Sequence, residues 1–174
     1  MTAPAAPPTG GPADDPASPA RAHPRAAGRP FTVLGFDFGL RRIGIASGDS
    51  LTATAAPRCA VAMRADGPDW VAIEREVRAL RPGLLVVGVP YNADGSPGRL
   101  TAAARRFGAS LGERFGLPVE HVDEHGSSLE AGAALKGKRA SGERRRRVGR
   151  DAIDSVAAAI ILERWLAGEG SSER

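Results

Sequence analysis

Apolar and polar positions along the chain follow two different periods. Between residues 31 and 62 the apolar residues come in short runs bounded by glycine, arginine and threonine. Phe31-Thr32-Val33-Leu34-Gly35-Phe36 and Ile43-Gly44-Ile45-Ala46 are the clearest of these. Such runs predict strands at about 31–37, 43–48 and 52–62, the first two joined as a hairpin. Pro57 interrupts the third, which is therefore expected to bend or to lie at an edge. At Asp69-Trp70 the period changes to that of a helix. Trp70, Ile73, Val77 and Leu80 share one face, and Asp69 is placed to cap the first turn. Leu84 to Val89 is continuously apolar, as expected of a central strand buried on both sides. A second helix is predicted from about Pro97 to Phe115, burying Leu100, Ala104, Phe107, Leu111 and Phe115, with Gly116-Leu117-Pro118 ending it. Val119 to Val122 reads as a strand, and Ser127 or Ser128 caps a helix to about Leu135. A last helix over about 150–167 turns Ile153, Val156, Ala157, Ile160 and Ile161 inward.

The predicted order is β-β-β-α-β-α-β-α-α. A meander followed by helical crossovers implies an α/β domain with a mixed sheet of about five strands and helices on both faces. Ligands of such sheets gather beyond the strand ends, near the change of topology. The 174 residues suffice for one domain and a tail. Residues 1–30, rich in Ala, Pro and Gly, are expected to be disordered, as are 169–174, which leaves 31–168 as the domain. Aromatic residues make up only 5% of the chain, against 42% hydrophobic overall, so an aliphatic, alanine-rich core is expected. Cys59 is the only cysteine, which excludes an intrachain disulfide and a cysteine-built zinc site. No apolar stretch approaches the roughly 20 residues of a membrane span, and the N-terminus lacks the apolar core of a secretory signal. A soluble, cytoplasmic protein is the expectation.

The formal charge of +4 is unevenly distributed. Residues 136–150 hold Lys136, Lys138, Arg139, Arg144, Arg145, Arg146, Arg147 and Arg150 against Glu143. The rest of the domain is mildly acidic. With three glycines and no apolar face, 136–150 reads as a flexible basic loop able to grip phosphates. It has no interleaved aromatic residues, so it offers charge rather than base readout. Arg41 and Arg42, in the turn of the first hairpin, are candidates for further phosphate contacts or for surface ion pairs.

Candidate chemistry lies in three acidic sites. Asp37 stands where the first strand gives way to its turn, and Gly39 after it would let a ligand approach the backbone. Asp123 and Glu124 follow the last predicted strand, and alternation sends only one of them to any given face. Asp151 and Asp154 lie near one face at the start of the last helix, where negative charge is favoured in any case. Two carboxylates 4 Å apart repel by roughly 4 kcal/mol at an effective dielectric of 20, so convergence calls for a cation. Hard oxygen donors select Mg²⁺ or Mn²⁺, and two such ions would suit phosphodiester cleavage. No Ser-His-Asp or Cys-His set is evident, and His121 and His125 read as packing or surface residues.

With these residues in view, the chain resembles the YqgF/RuvX family of RNase H-like proteins over about residues 31–167. Four segments carry the likeness. The first runs from Phe36-Asp37-Phe38-Gly39 through Ile43-Gly44-Ile45-Ala46. The second is Val86-Val87-Gly88-Val89-Pro90-Tyr91-Asn92-Ala93-Asp94-Gly95. The third is Asp123-Glu124-His125 with Ser127-Ser128-Leu129-Glu130-Ala131, and the fourth runs from Asp154-Ser155-Val156-Ala157-Ala158 to Leu162. The resemblance implies an RNase H-like fold and a metal-dependent nuclease. Asp37, Glu124 and Asp154 take the places of its catalytic, metal-binding acids, with Asp123 a rival to Glu124. It further implies a pre-ribosomal RNA substrate, matured at the 5′ end of 16S rRNA, or alternatively a Holliday junction in DNA. The ribosome or its small-subunit precursor would then be a partner, and the protein a monomer or, for a junction resolvase, a homodimer. The family usually has Arg after the Asp-Glu pair, where this chain has His125 and Gly126. Two other classes remain open at this level. The Asp37-Phe38-Gly39 hairpin also looks like the phosphate turn of actin-like ATPases, which need two such domains. A non-catalytic RNA-binding assembly factor is the other.

Overall fold

The computed structural model describes residues 28–92, 94–123 and 150–168, together with Pro24. The N-terminal tail, Glu124, the helix expected up to Leu135, the basic residues 136–149 and the segment 169–174 lie outside the described residues. Six strands and three helices are present among those described: β1 (Thr32–Phe38), β2 (Arg42–Asp49), β3 (Thr54–Arg64), β4 (Gly67–Pro68), α1 (Trp70–Leu80), β5 (Leu84–Val89), α2 (Arg99–Phe115), β6 (Val119–Asp123) and α3 (Arg150–Leu166). The strands form one sheet in the order β4-β3-β2-β1-β5-β6. β1 to β4 pair antiparallel with their sequence neighbours, and β5 and β6 join parallel to β1. The mixed sheet is thus as expected, enlarged by the two-residue β4.

Local chemistry accounts for the element ends. The Asp69 carboxylate accepts a hydrogen bond from the Ala72 amide at 3.1 Å, which caps α1, and takes another from Arg64 Nη2 at 3.0 Å. Gly116 ends α2 in the left-handed region at φ 61°, which only glycine enters without a steric penalty. Pro57 falls at an irregularity: Ile45 pairs with Cys59 but Ala46 with Pro57, so Arg58 is an extra residue in β3. The bend expected of the third strand is therefore a bulge. α2 starts at Arg99 rather than Pro97, because Pro97 is bridged to Tyr91 and remains in the preceding loop.

Side-chain alternation splits the core in two. On one face, Leu34, Phe36, Phe38, Ile43, Ile45, Leu85, Val87 and Val89 pack against Ile73 of α1 and Ala104, Phe107 and Leu111 of α2. On the other, Val33, Ala46, Leu84, Val86 and Val122 meet Ala158, Ile161, Leu162 and Trp165 of α3. The α3 side is alanine-rich, as the composition suggested. The α1/α2 side is not purely aliphatic. Phe107 lies 5.7 Å from Phe36, 5.4 Å from Phe38 and 5.8 Å from Trp70, between ring centres, so the few aromatic residues are concentrated there.

Two helix faces differ from the predicted ones. In α3, Ile153 is 37% exposed and Val156 and Ile160 are half-buried, while Ala158, Leu162 and Trp165 are inaccessible. The helix is rotated so that its small residues meet the sheet, a choice that hydrophobicity alone does not encode. In α2, Leu100 is 36% exposed and Thr101 takes the inner position. The Thr101 hydroxyl donates to the Pro90 carbonyl and accepts from the Gly98 amide, so a hydrogen-bonding need at the helix start overrides the apolar side chain.

Hydrogen bonds from the Ala72 amide and Arg64 hold the Asp69 carboxyl below its ordinary 3.8. A depressed folded value means stabilisation that is complete above the unfolded value and lost as pH falls through the folded one. Asp69→Ala should therefore be less stable than the parent at pH 7, with the difference shrinking as pH drops below 3.8. Urea melts of both proteins across pH 7 to 3 measure this.

Candidate active site

The site begins with a close approach of helix to sheet. On the α3 side, β1 and β2 present Gly35, Gly44 and Gly48. A Cβ at 35 would lie 3.1 Å from Leu162 Cβ, and one at 48 would lie 2.9 Å from Leu162 Cδ2. At 44 it would collide with the Asp154 carbonyl itself. The first turns of α3 therefore rest on bare backbone at Gly44. A glycine inside a strand is the sequence signal of such an approach.

Asp37 is the cross-strand partner of Gly44 on β2 and of Gly88 on β5. Alternation from Val33 and Gly35 places Asp37 on the α3 face. The half-buried Asp37 and the half-buried Asp154 thus flank the same glycine, from the sheet and from the helix. Of the three acidic sites predicted, two adjoin Gly44: Asp37 as its cross-strand partner, and Asp154 through its backbone carbonyl. Asp151, one turn earlier in α3, is exposed.

A cation already stands among the α3 acids. Arg42 Nε donates to Asp154 Oδ2 at 2.7 Å and lies 3.4 Å from Asp151 Oδ1. The hydrogen bond to Asp154, with the charges of Asp154 and Asp151 behind it, holds the guanidinium proton more firmly than usual, against some desolvation. Of the two roles expected of Arg42, the ion pair is the one observed. Arg41, next to it, is exposed. The sequence gives no signal for the link, which spans 112 positions.

Asp123 and Asp37 sit on opposite faces. β6 turns Val122 to the α3 side, and Asp123, paired with Val89, to the α2 side. His121, on that same α2 side, packs its ring where a Cβ at Gly108 would be, 2.5 Å from His121 Nε2. That is the packing role expected of it.

The loop after β5 leaves the sheet at the same edge as Asp37. Asp94 Oδ1 accepts from the Ser96 amide at 2.9 Å and from the Ser96 hydroxyl at 2.6 Å, which lowers the Asp94 pKa. Gly95, at φ 78°, donates to the Asn92 carbonyl at 2.9 Å. Arg105 of α2 donates to the Tyr91 hydroxyl at 2.7 Å. These bonds shape the turn, with Tyr91 packed on the α1/α2 side of the sheet.

No group of three or more potential metal-ligating side chains occurs among the described residues. The donor set nonetheless suits a hard divalent cation. Asp37 and Asp154 offer carboxylate oxygens on one face, and a guanidinium occupies part of the demand for positive charge there.

Residues 31–168 match the family described as RuvX, Holliday junction resolvase. The chain belongs to the RuvX family. It is 47% identical over 136 residues to a protein of Xanthomonas euvesicatoria pv. vesicatoria named "Putative pre-16S rRNA nuclease", covering 78% of this chain and 87% of that one. It is 47% identical over 135 residues to a namesake from Xanthomonas campestris pv. campestris, covering 78% and 86%. Among solved structures, Thermus thermophilus RuvC in complex with a Holliday junction substrate aligns with a TM-score of 0.47 at 15% identity, over 79% of this chain and 94% of that one. The RuvX chain is accordingly a nuclease, a hydrolase acting on phosphodiester bonds.

Overpacking a tight contact costs about 1–3 kcal/mol, and more where backbone must move. Gly44→Ala should fall at or above that range, because it meets the backbone of Asp154, and should depress cleavage with it. Gly35→Ala meets mainly the Leu162 side chain and should cost less. Urea denaturation of the two variants, with circular dichroism as the probe, gives the comparison.

Proposed function

We propose that this RuvX protein is a Mg²⁺- or Mn²⁺-dependent endonuclease that matures the 5′ end of pre-16S rRNA in the cytoplasm. The observation that supports the reading is that Asp37, by strand pairing, and the Asp154 backbone, by helix contact, both adjoin Gly44 at the C-terminal edge of β1. The names of the Xanthomonas relatives supply the substrate. Glu124 is proposed as the third acid. It belongs with Asp123 to the acidic pair of the third family segment. Asp123, on the opposite face from Asp37, is left out of the proposed set.

In this reading Asp37, Asp154 and Glu124 hold the metal, proposed as two ions. Bound there, the metal would supply a hydroxide at neutral pH and charge stabilisation at the leaving oxygen. The protein's own work is positioning. β1 fixes the Asp37 backbone between two strands, and α3 fixes Asp154 by resting on Gly44. The loop from Tyr91 to Ser96 bounds the edge where a phosphodiester would lie. Arg41 in the turn and the basic residues Lys136, Lys138, Arg139, Arg144, Arg145, Arg146 and Arg147 are proposed to hold substrate phosphates. The small-subunit precursor is the proposed partner.

The family description favours a second substrate, a four-way DNA junction. Purified protein with Mn²⁺ should cleave a pre-16S rRNA fragment at its 5′ flank in preference to a synthetic junction. Asp37→Asn should lower the rate by at least a hundredfold while the thermal transition stays cooperative. Cleavage of the junction alone would replace the RNA reading. Undiminished cleavage by Asp37→Asn would remove Asp37 from the mechanism.

A further inference from the structure

We infer that Arg42 is the resident counter-cation of the acidic site, and that metal loading displaces its guanidinium from Asp154. The inference rests on the proposed reading of Asp37 and Asp154 as metal-binding acids. Arg42 opens β2, two residues before Gly44, so its backbone is fixed by the strand while its side chain reaches the start of α3. Nε, rather than the tip of the guanidinium, makes the 2.7 Å bond to Asp154 Oδ2 and faces Asp151 Oδ1 at 3.4 Å. The one group therefore compensates two carboxylates on successive turns.

The bridge is placed for exchange. The Arg42 side chain is 34% exposed, and those of Asp154 and Asp151 are 28% and 73% exposed, so water reaches all three and solvent can take over each partner. A buried pair would resist such a swap, because parting it strands a charge away from water. A divalent ion on Asp154 repels the guanidinium beside it and satisfies the same carboxylate more strongly. Once displaced, Arg42 stands beside the exposed Arg41 at the edge where substrate phosphate would arrive. Arg42 is thus a positioning residue. Without metal it holds Asp154 in place, and with metal it becomes available to the substrate. Metal loading and phosphate binding are coupled through a single side chain.

The test is metal affinity, read without substrate or turnover. Removing one positive charge next to the ion should tighten Mn²⁺ binding on the order of tenfold. Arg42→Met keeps the apolar stem and loses the charge, and calorimetric titration with Mn²⁺ should show that gain. Arg42→Lys keeps the charge and should stay near the parent affinity. In the parent, the Arg42 Nε–H resonance should shift as Mg²⁺ is added and its hydrogen bond to Asp154 is lost. Equal or weaker Mn²⁺ binding by a folded Arg42→Met protein would overturn the inference. So would an Nε–H signal unmoved at saturating Mg²⁺, which also serves if Arg42→Met does not fold. Failure of the parent to bind Mn²⁺ at all would sink the metal-site reading itself, and is told apart from the first result by the parent titration alone.

Discussion

The contact on which the site depends is between two pieces of backbone. The start of α3 lies directly on β2 at Gly44, with no side chain between the Asp154 carbonyl and the strand. Interiors pack at crystal-like density, so a helix stands off a sheet by the size of the side chains between them. Gly35, Gly44 and Gly48 on the sheet, and Ala158 on the helix, reduce that distance. The largest apolar group lies near the far end, where Trp165 is fully buried and donates through Nε1 to Glu120 Oε2 at 2.5 Å. α3 is thus anchored at its C-terminal end by bulk and brought close at its N-terminal end by the absence of it. The carboxylates ride on the close end.

This division suits a nuclease of the RuvX family. Acids that must share a cation repel one another until it arrives, and they need a rigid frame to hold them. Asp37 receives it from β1, flanked on both sides by paired strands, and Asp154 from a helix that cannot approach further. The opposite face of the sheet carries none of this tension. There Phe36, Phe38, Phe107 and Trp70 form an aromatic cluster, with the Arg114 guanidinium 4.5 Å from the Trp70 ring centre. Alternation along each strand keeps this aromatic cluster apart from the face that carries Asp37 and Asp154.

Much of this was legible before folding. Period-2 and period-3.6 patterns depend on neighbours a few residues away, so the strands, α1 and the cap at Asp69 could be read directly. Asp37 could be nominated because a charge at the end of an apolar run is conspicuous, and the four family segments named Asp154 and Glu124 beside it. Less legible were the faces of α2 and α3. Thr101 takes the inner position in place of Leu100 to satisfy the Pro90 carbonyl, and α3 turns Ala158 and Leu162 rather than Ile153 toward glycines more than a hundred residues earlier.

The amino-acid sequence by itself determined the described elements other than β4, their order, the mixed α/β class and the family, because each follows from local periodicity or from residues in a fixed linear order. Only the tertiary structure decided that Asp123 faces away from Asp37, that Arg42 is bound to Asp154, and that Gly44 is the point on which the helix rests. These depend on register and on distances between chain segments, which the fold sets and no linear pattern carries.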